Sequence, residues 1–337
     1  MHFTRLAFSL CVAMLLVLAP IANAQIAQPS RRDKEIVKSI YYTQPDLKPS
    51  AELSASIGNI VAELINSRPD GEFKEDEIAV SVIDMTDPKS LRSASFRGEE
   101  KIYPASVVKA FYMATLFQQL DHGKLVMTKE LERGLRDMIV DSSNEATQYI
   151  VDVLTDTSSG GELTQKEFEL WSKRRNRMNR YFASMGFTNI NVNQKTHCED
   201  AYGVEQQFRN YKGENRNMLT TNASARLMAE IALGRSVNKA RSKAMMDLLA
   251  RDPFAEKPNS QASDFVGRTL IDRKMSGAKL WSKAGWTSRA RHDMAYVELP
   301  NGLKFSIAIF TEKHANDRDV ISNITSKVID ILSNQGK

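Results

Sequence analysis

Tyr103-Pro104-Ala105-Ser106-Val107-Val108-Lys109 places a hydroxyl and an amine three residues apart, at the head of the apolar run Ala110, Phe111, Met113, Ala114, Leu116 and Phe117. Pro104 and that run predict a turn opening into a buried helix, with Ser106 near its first turn. Residues three apart on a helix share a face, so Ser106 and Lys109 lie side by side. A serine hydroxyl is a weak nucleophile until a neighbouring base takes its proton. A lysine does this once burial or a nearby positive charge lowers its pKa. Taken alone, the pattern also fits a serine-capped helix with a snorkelling lysine.

Two later stretches add to it. Asp141-Ser142-Ser143-Asn144 precedes a helical run from Glu145 to Leu154, and Leu280-Trp281-Ser282-Lys283-Ala284-Gly285-Trp286-Thr287 alternates like a strand. In order and spacing, Ser106-Val107-Val108-Lys109, Ser142-Ser143-Asn144 and Lys283-Ala284-Gly285 resemble the Ser-x-x-Lys, Ser-Asp-Asn and Lys-Thr-Gly signatures of the penicillin-recognising serine hydrolases. The chain looks most like the class A β-lactamases. The resemblance spans most of the chain after about residue 50, including Leu120 to Leu125 and the strand His292 to Val297.

The resemblance implies an acyl-enzyme on Ser106, with Lys109 as base or as one member of a proton relay, and Ser142 passing a proton to the departing nitrogen. Asn144 would face the substrate side chain, and Lys283 would supply positive potential for a substrate carboxylate. The N–H groups of Ser106 and Trp286, beside Gly285, would form an oxyanion hole. Ser143 stands where the family has aspartate, and Ala284 where it has threonine. Thr287 or Ser288 is then expected to replace the missing hydroxyl, and Arg291 to hold a carboxylate bidentately. The family's water-activating glutamate aligns near Lys195-Thr196, which carry no carboxylate. Glu199 is the first candidate to take that role, with Asp200 and Glu205 as alternatives in the same loop. Without such a base, deacylation should be slow. That outcome would suit a cell-wall D,D-peptidase, an esterase, or a non-catalytic β-lactam-binding or sensor domain.

With 337 residues, 42% hydrophobic and 26% charged, the chain can bury a sizeable core and is neither disordered nor membrane-filled. Arg5, the apolar run Leu6 to Pro20 and Ala22-Asn23-Ala24 have the form of a secretory signal over residues 1–24, cleaved near Ala24. The apolar run is shorter than the roughly 20 residues of a spanning helix, so a periplasmic or secreted protein without a stable membrane anchor is expected. Cleavage would leave Cys198 as the mature chain's one cysteine, which excludes an internal disulfide in a monomer. The formal charge of +5 and export fit a small-molecule or cell-wall partner better than nucleic acid. His197-Cys198-Glu199-Asp200 holds metal-ligand types, but four adjacent residues cannot all face one ion. No metal and no cofactor are expected. His292 and Asp293, as strand neighbours, point to opposite faces and cannot chain into a triad.

Residues 25–49, punctuated by Pro29, Pro45 and Pro49, read as an extended lead-in. Ser50 then caps a helix with apolar positions Leu53, Ile57, Ile60, Val61 and Leu64, and Ile78 to Met85 is a buried strand partnered by Ser93 to Arg97. Helices are expected at 129–140, 144–154, 223–233 and 238–249. Strands return at 279–282, 292–299 and 304–311, followed by a helix at 317–332. The fold class is therefore α+β and β-lactamase-like. An antiparallel sheet lobe (about 50–100 and 265–337) is flanked by terminal helices, with an all-helical lobe (about 101–264) inserted into a 50–337 catalytic domain.

Overall fold

The computed structural model describes residues 35–69, 71–197, 200–213 and 215–335, so the proposed signal segment and Cys198-Glu199 lie outside the described residues. Seven strands form one sheet: β1 (Leu47–Pro49), β2 (Ile78–Asp84), β3 (Leu91–Phe96), β4 (Ala250–Arg251), β5 (Lys279–Trp286), β6 (Ala290–Glu298) and β7 (Lys304–Glu312). Their order is β1-β3-β2-β7-β6-β5-β4. Every pairing is antiparallel except that of β1 with β3, so the sheet expected to be purely antiparallel carries a parallel edge strand. The described part of the segment before β1 carries a turn, closed by Tyr42 N donating to Ser39 O at 3.1 Å, and is tied down. Arg180 holds the Glu35 carboxylate at 2.6 and 2.8 Å, and Tyr42 OH donates to Glu230 Oε1 at 2.8 Å.

Both faces of the sheet are covered. The expected helix after Ser50 is α1 (Ala51–Asn66), begun where Ser50 Oγ accepts from Leu53 N at 3.2 Å. With α11 (Val266–Asp272) and α12 (Asp319–Gln335), it packs on one face around Leu53, Ile57, Val80, Ala284, Val297 and Ile324. On the other face lie α2 (Val108–Asp121), α3 (Lys129–Ile139), α4 (Asn144–Thr155), α8 (Thr221–Ala232) and α9 (Lys239–Leu249), around Phe111, Met138, Ile150, Leu227 and Met294. All seven residues of β2 are buried, as a strand covered on both sides must be.

The sequence between α4 and α8 holds helices that periodicity did not single out. They are α5 (Gln165–Arg175), α6 (Arg177–Ser184) and α7 (Val204–Arg209), and Phe168, Trp171, Val204 and Phe208 pack there as a satellite cluster. Within α5, Arg175 is fully buried over the Trp171 ring at 4.2 Å, while Lys173 is exposed. A four-residue helix, α10 (Ser260–Ser263), completes the set, and no described helix is long and apolar enough to cross a membrane.

Candidate active site

Ser106 is half-buried in a 3-10 turn, Ala105–Val107, that runs directly into α2. Ala105 takes a positive φ of 46°, a conformation that costs a non-glycine residue energy and bends the chain sharply ahead of the serine. The bend is held from the sheet. His292 is fully buried, and burial pushes its imidazole down to about 4, so the ring is neutral near pH 7. Its Nδ1 accepts from Thr311 N at 3.1 Å, which leaves Nε2–H to donate to Tyr103 O at 2.9 Å.

One helical turn after Ser106, the Lys109 amine is 0% exposed and meets the α3–α4 turn. Its Nζ donates to Ser142 O at 2.5 Å and Asn144 Oδ1 at 2.8 Å, and lies 3.3 Å from Ser142 Oγ. Ser143, not Ser142, caps α4, accepting from Ala146 N at 3.0 Å. Ser142 is thereby free to take a φ of 59° and turn its hydroxyl toward the amines. Two residues from the far edge of the fold brace this turn from behind. Arg251 Nη2 donates to Ile139 O at 3.1 Å, and Gln261 Nε2 donates to Val140 O at 2.8 Å.

The second amine arrives on β5. Lys283 is also 0% exposed, and its Nζ lies 3.0 Å from Ser142 Oγ, 2.8 Å from Gln261 Oε1 and 2.8 Å from Ala284 O. Burial holds this amine well below the usual lysine range, and the positive charges of Lys109 and Arg251 push the same way. Two residues on, Gly285 lets β5 pass against the nucleophile turn. A Cβ there would meet Pro104 O at 2.7 Å, Ser106 N at 2.8 Å and Val107 N at 2.9 Å.

Strand alternation sorts the remaining candidates. Lys283 pairs with Met294 and Gly285 with His292 on the α2 face, while Ala284 with Asp293 and Trp286 with Arg291 belong to the opposite face. Arg291 is therefore not brought to the cluster. Its guanidinium lies over the Phe265 ring at 4.2 Å, and Nη2 donates to Asp264 O at 2.7 Å. The Trp286 ring, half exposed, lies 5.7 Å from Phe265, so only its backbone borders the nucleophile turn. Thr287 Oγ1 closes the β5–β6 turn by accepting from Arg289 N and Ala290 N, both at 3.1 Å. The Asp293 carboxyl is buried beneath α11. Oδ2 accepts from Val266 N at 3.2 Å, and burial pushes the group up to about 7.

Of the three loop carboxylates, Glu199 lies outside the described residues. Glu205 is locked in the satellite cluster: its oxygens lie 2.9 and 2.8 Å from Arg175 and 3.2 Å from Lys195. Burial raises this carboxyl, but the two cations outweigh it and hold it below the usual range. Asp200 is exposed and paired with Arg209. Neither reaches Ser142. The loop itself runs beside α4, where Gln148, one turn after Asn144, donates from Nε2 to Thr196 O at 3.2 Å. Among the described residues, no group of His, Cys, Asp or Glu is placed to hold a metal ion.

Asp293 and Tyr103, quoted above without a site role, complete the surroundings with Gln261 and Arg251, which no pattern in the sequence singled out. The last two lie 22 and 32 residues before Lys283 and join it only through the fold.

The sequence profile of the beta-lactamase enzyme family matches residues 52–332. No curated protein sequence matches the chain. Among solved structures, it is similar to a beta-lactamase from Sphaerobacter thermophilus (17% identity, 84% of this chain and 97% of that one, TM-score 0.59). It is also similar to PBP-A (17%, 87% and 100%, 0.58) and to a PBP-A mutant solved as an acyl-enzyme complex with penicillin G (17%, 86% and 99%, 0.57).

Proposed function

The chain belongs to the beta-lactamase enzyme family, and from that membership we propose that it is an exported serine hydrolase that opens β-lactams through an acyl-enzyme on Ser106. The observation that carries this is Ser142 Oγ, which lies 3.3 Å from Lys109 Nζ and 3.0 Å from Lys283 Nζ, with Lys109 one helical turn from Ser106. In this scheme Ser106 Oγ bonds to the ring carbonyl carbon as its proton passes to Lys109. The carbon–nitrogen bond then breaks, and the nitrogen takes a proton from Ser142, which Lys109 or Lys283 resupplies. The backbone N–H groups of Ser106 and Trp286 would receive the oxyanion, and the close passage of Gly285 against Ser106 N supports that placement. The penicillin G acyl-enzyme of the PBP-A mutant is a precedent on this fold.

Glu199 is the proposed activator of the deacylating water. Glu205 and Asp200 are engaged with cations elsewhere, which favours, as the second reading, slow deacylation by a cell-wall D,D-peptidase, an esterase or a β-lactam sensor. Export rests on the Arg5, Leu6 to Pro20 and Ala22-Asn23-Ala24 pattern, with a monomer released near Ala24.

The test mixes the mature protein with a chromogenic cephalosporin and, separately, a fluorescent penicillin. Sustained turnover is expected. A persistent label at Ser106 supports the second reading, and neither signal overturns acyl transfer. Ser106→Ala should abolish labelling with an unchanged circular dichroism spectrum. Glu199→Gln should prolong the label rather than remove it.

A further inference from the structure

Lys283 has no hydrogen to offer an anion. If the amine is charged, its three N–H groups face Ser142 Oγ, Gln261 Oε1 and Ala284 O, at 3.0, 2.8 and 2.8 Å. If it is neutral, its two N–H groups serve the two carbonyl oxygens, and its lone pair accepts from the Ser142 hydroxyl. The amide of Gln261 cannot turn away, because its Nε2 is engaged with Val140 O at 2.8 Å and the side chain is only 4% exposed. Two expected anchors are turned away from it. Ala284 has no hydroxyl and points into the opposite core, and the Arg291 guanidinium lies under Phe265.

We propose that Gln261 is a positioning residue that reserves Lys283 for Ser142, so that the site selects acyl donors carrying no anion beside the leaving group. This rests on the acyl-transfer reading above. In the step concerned, the Ser106 Oγ–acyl bond forms, the carbon–nitrogen or carbon–oxygen bond breaks, and the Ser106 proton ends on the leaving atom by way of Lys109 and Ser142. A carboxylate on the leaving side then contributes little to recognition. Uncharged esters and amides react as well as their acids.

The experiment compares benzylpenicillin with its methyl ester on the mature protein, reading the second-order rate of Ser106 adduct formation by intact mass. Wild-type rates for acid and ester are expected within about threefold of each other. Gln261→Leu frees one N–H of Lys283 and loosens the Ser142 turn, so both rates should change, but the acid-to-ester ratio should rise about tenfold, the worth of one charge-assisted hydrogen bond after desolvation. Gln261→Glu restores an acceptor on Lys283 and should return the ratio to the wild-type value, which a merely structural role would not do. A wild-type preference for the acid of tenfold or more overturns the proposal, whether or not the variants fold. So does a folded Gln261→Leu protein with an unmoved ratio. Failure of both compounds to form an adduct overturns the acyl-transfer reading and this proposal with it.

Discussion

Gly285→Ala is the sharpest test of how the sheet and the nucleophile turn depend on each other. The added methyl would lie 2.7 Å from Pro104 O, 2.8 Å from Ser106 N and 2.9 Å from Val107 N, against 3.4–4 Å for ordinary contact. All three are backbone atoms of one braced turn, tied to His292 through Tyr103 O, so no side chain can swing aside. The strand or the turn must retreat by about half an ångström or more. Overpacking of this kind costs about 1–3 kcal/mol. At about 2–4 °C per kcal/mol for a domain near this size, Tm should fall by roughly 2–12 °C. The larger effect falls on the chemistry. Parting the Ser106 and Trp286 N–H groups should slow acylation on the order of 10²-fold. Gly58→Ala, in the middle of α1 with nothing within 4 Å of the new methyl, serves as control. It should gain about 0.5–1 kcal/mol from helix propensity and label at the wild-type rate. Differential scanning fluorimetry and time-resolved fluorescent-penicillin labelling measure both effects. A Gly285→Ala protein labelling within about threefold of wild type would refute the argument that this glycine closes the site.

Two further perturbations address the charges around the site. Asp293 has its folded pKa raised to about 7 from 3.8, so its contribution to stability is full below 3.8 and lost as pH rises through about 7. Asp293→Asn should remove that loss, so that wild-type stability minus variant stability falls between about pH 4 and 7 in urea titrations; a flat difference would contradict the burial argument. Glu205→Gln leaves the buried Arg175 and Lys195 to share the Asp152 carboxylate at 3.5 and 2.7 Å, and should destabilise by about 1–3 kcal/mol, read as a shift in urea midpoint at unchanged slope.

What the sequence disclosed follows from how local each signal is. α1 was legible from Ser50 and its periodic apolar positions, and the β6–β7 hairpin from Pro300-Asn301-Gly302, where Gly302 takes a φ of 90°. β1 is three residues long and α10 four, too short for any period to register, and both are held by distant partners. Arg291 shows why placement fails at the edge of a strand expected over 292–299 and found over Ala290–Glu298. A shift of one residue flips every side chain to the other face, and only the pairing of Lys283 with Met294 reveals that Arg291 belongs with Trp286. Gln261 and Arg251 carried no pattern, because what they do is donate to carbonyl oxygens of a turn more than a hundred residues away.

The electrostatics of the cluster explain why two lysines can share one serine. Lys109, Lys283 and Arg251 come together out of solvent, and the carboxyl nearest the second of them, Asp293, is itself pushed toward its neutral form. Cations gathered out of solvent repel one another, and an arginine does not give up its proton. The strain therefore falls on Lys283, which is displaced toward the free amine by burial first and by its two cationic neighbours next. An amine so displaced, 3.0 Å from Ser142 Oγ, can take a proton from that hydroxyl or return one to it at little cost. Burial that would be a liability in an ordinary core would thus serve the proposed proton relay. The replacement of the family's aspartate by Ser143 is consistent with it, since Ser143 caps α4 without placing a carboxylate beside the pair.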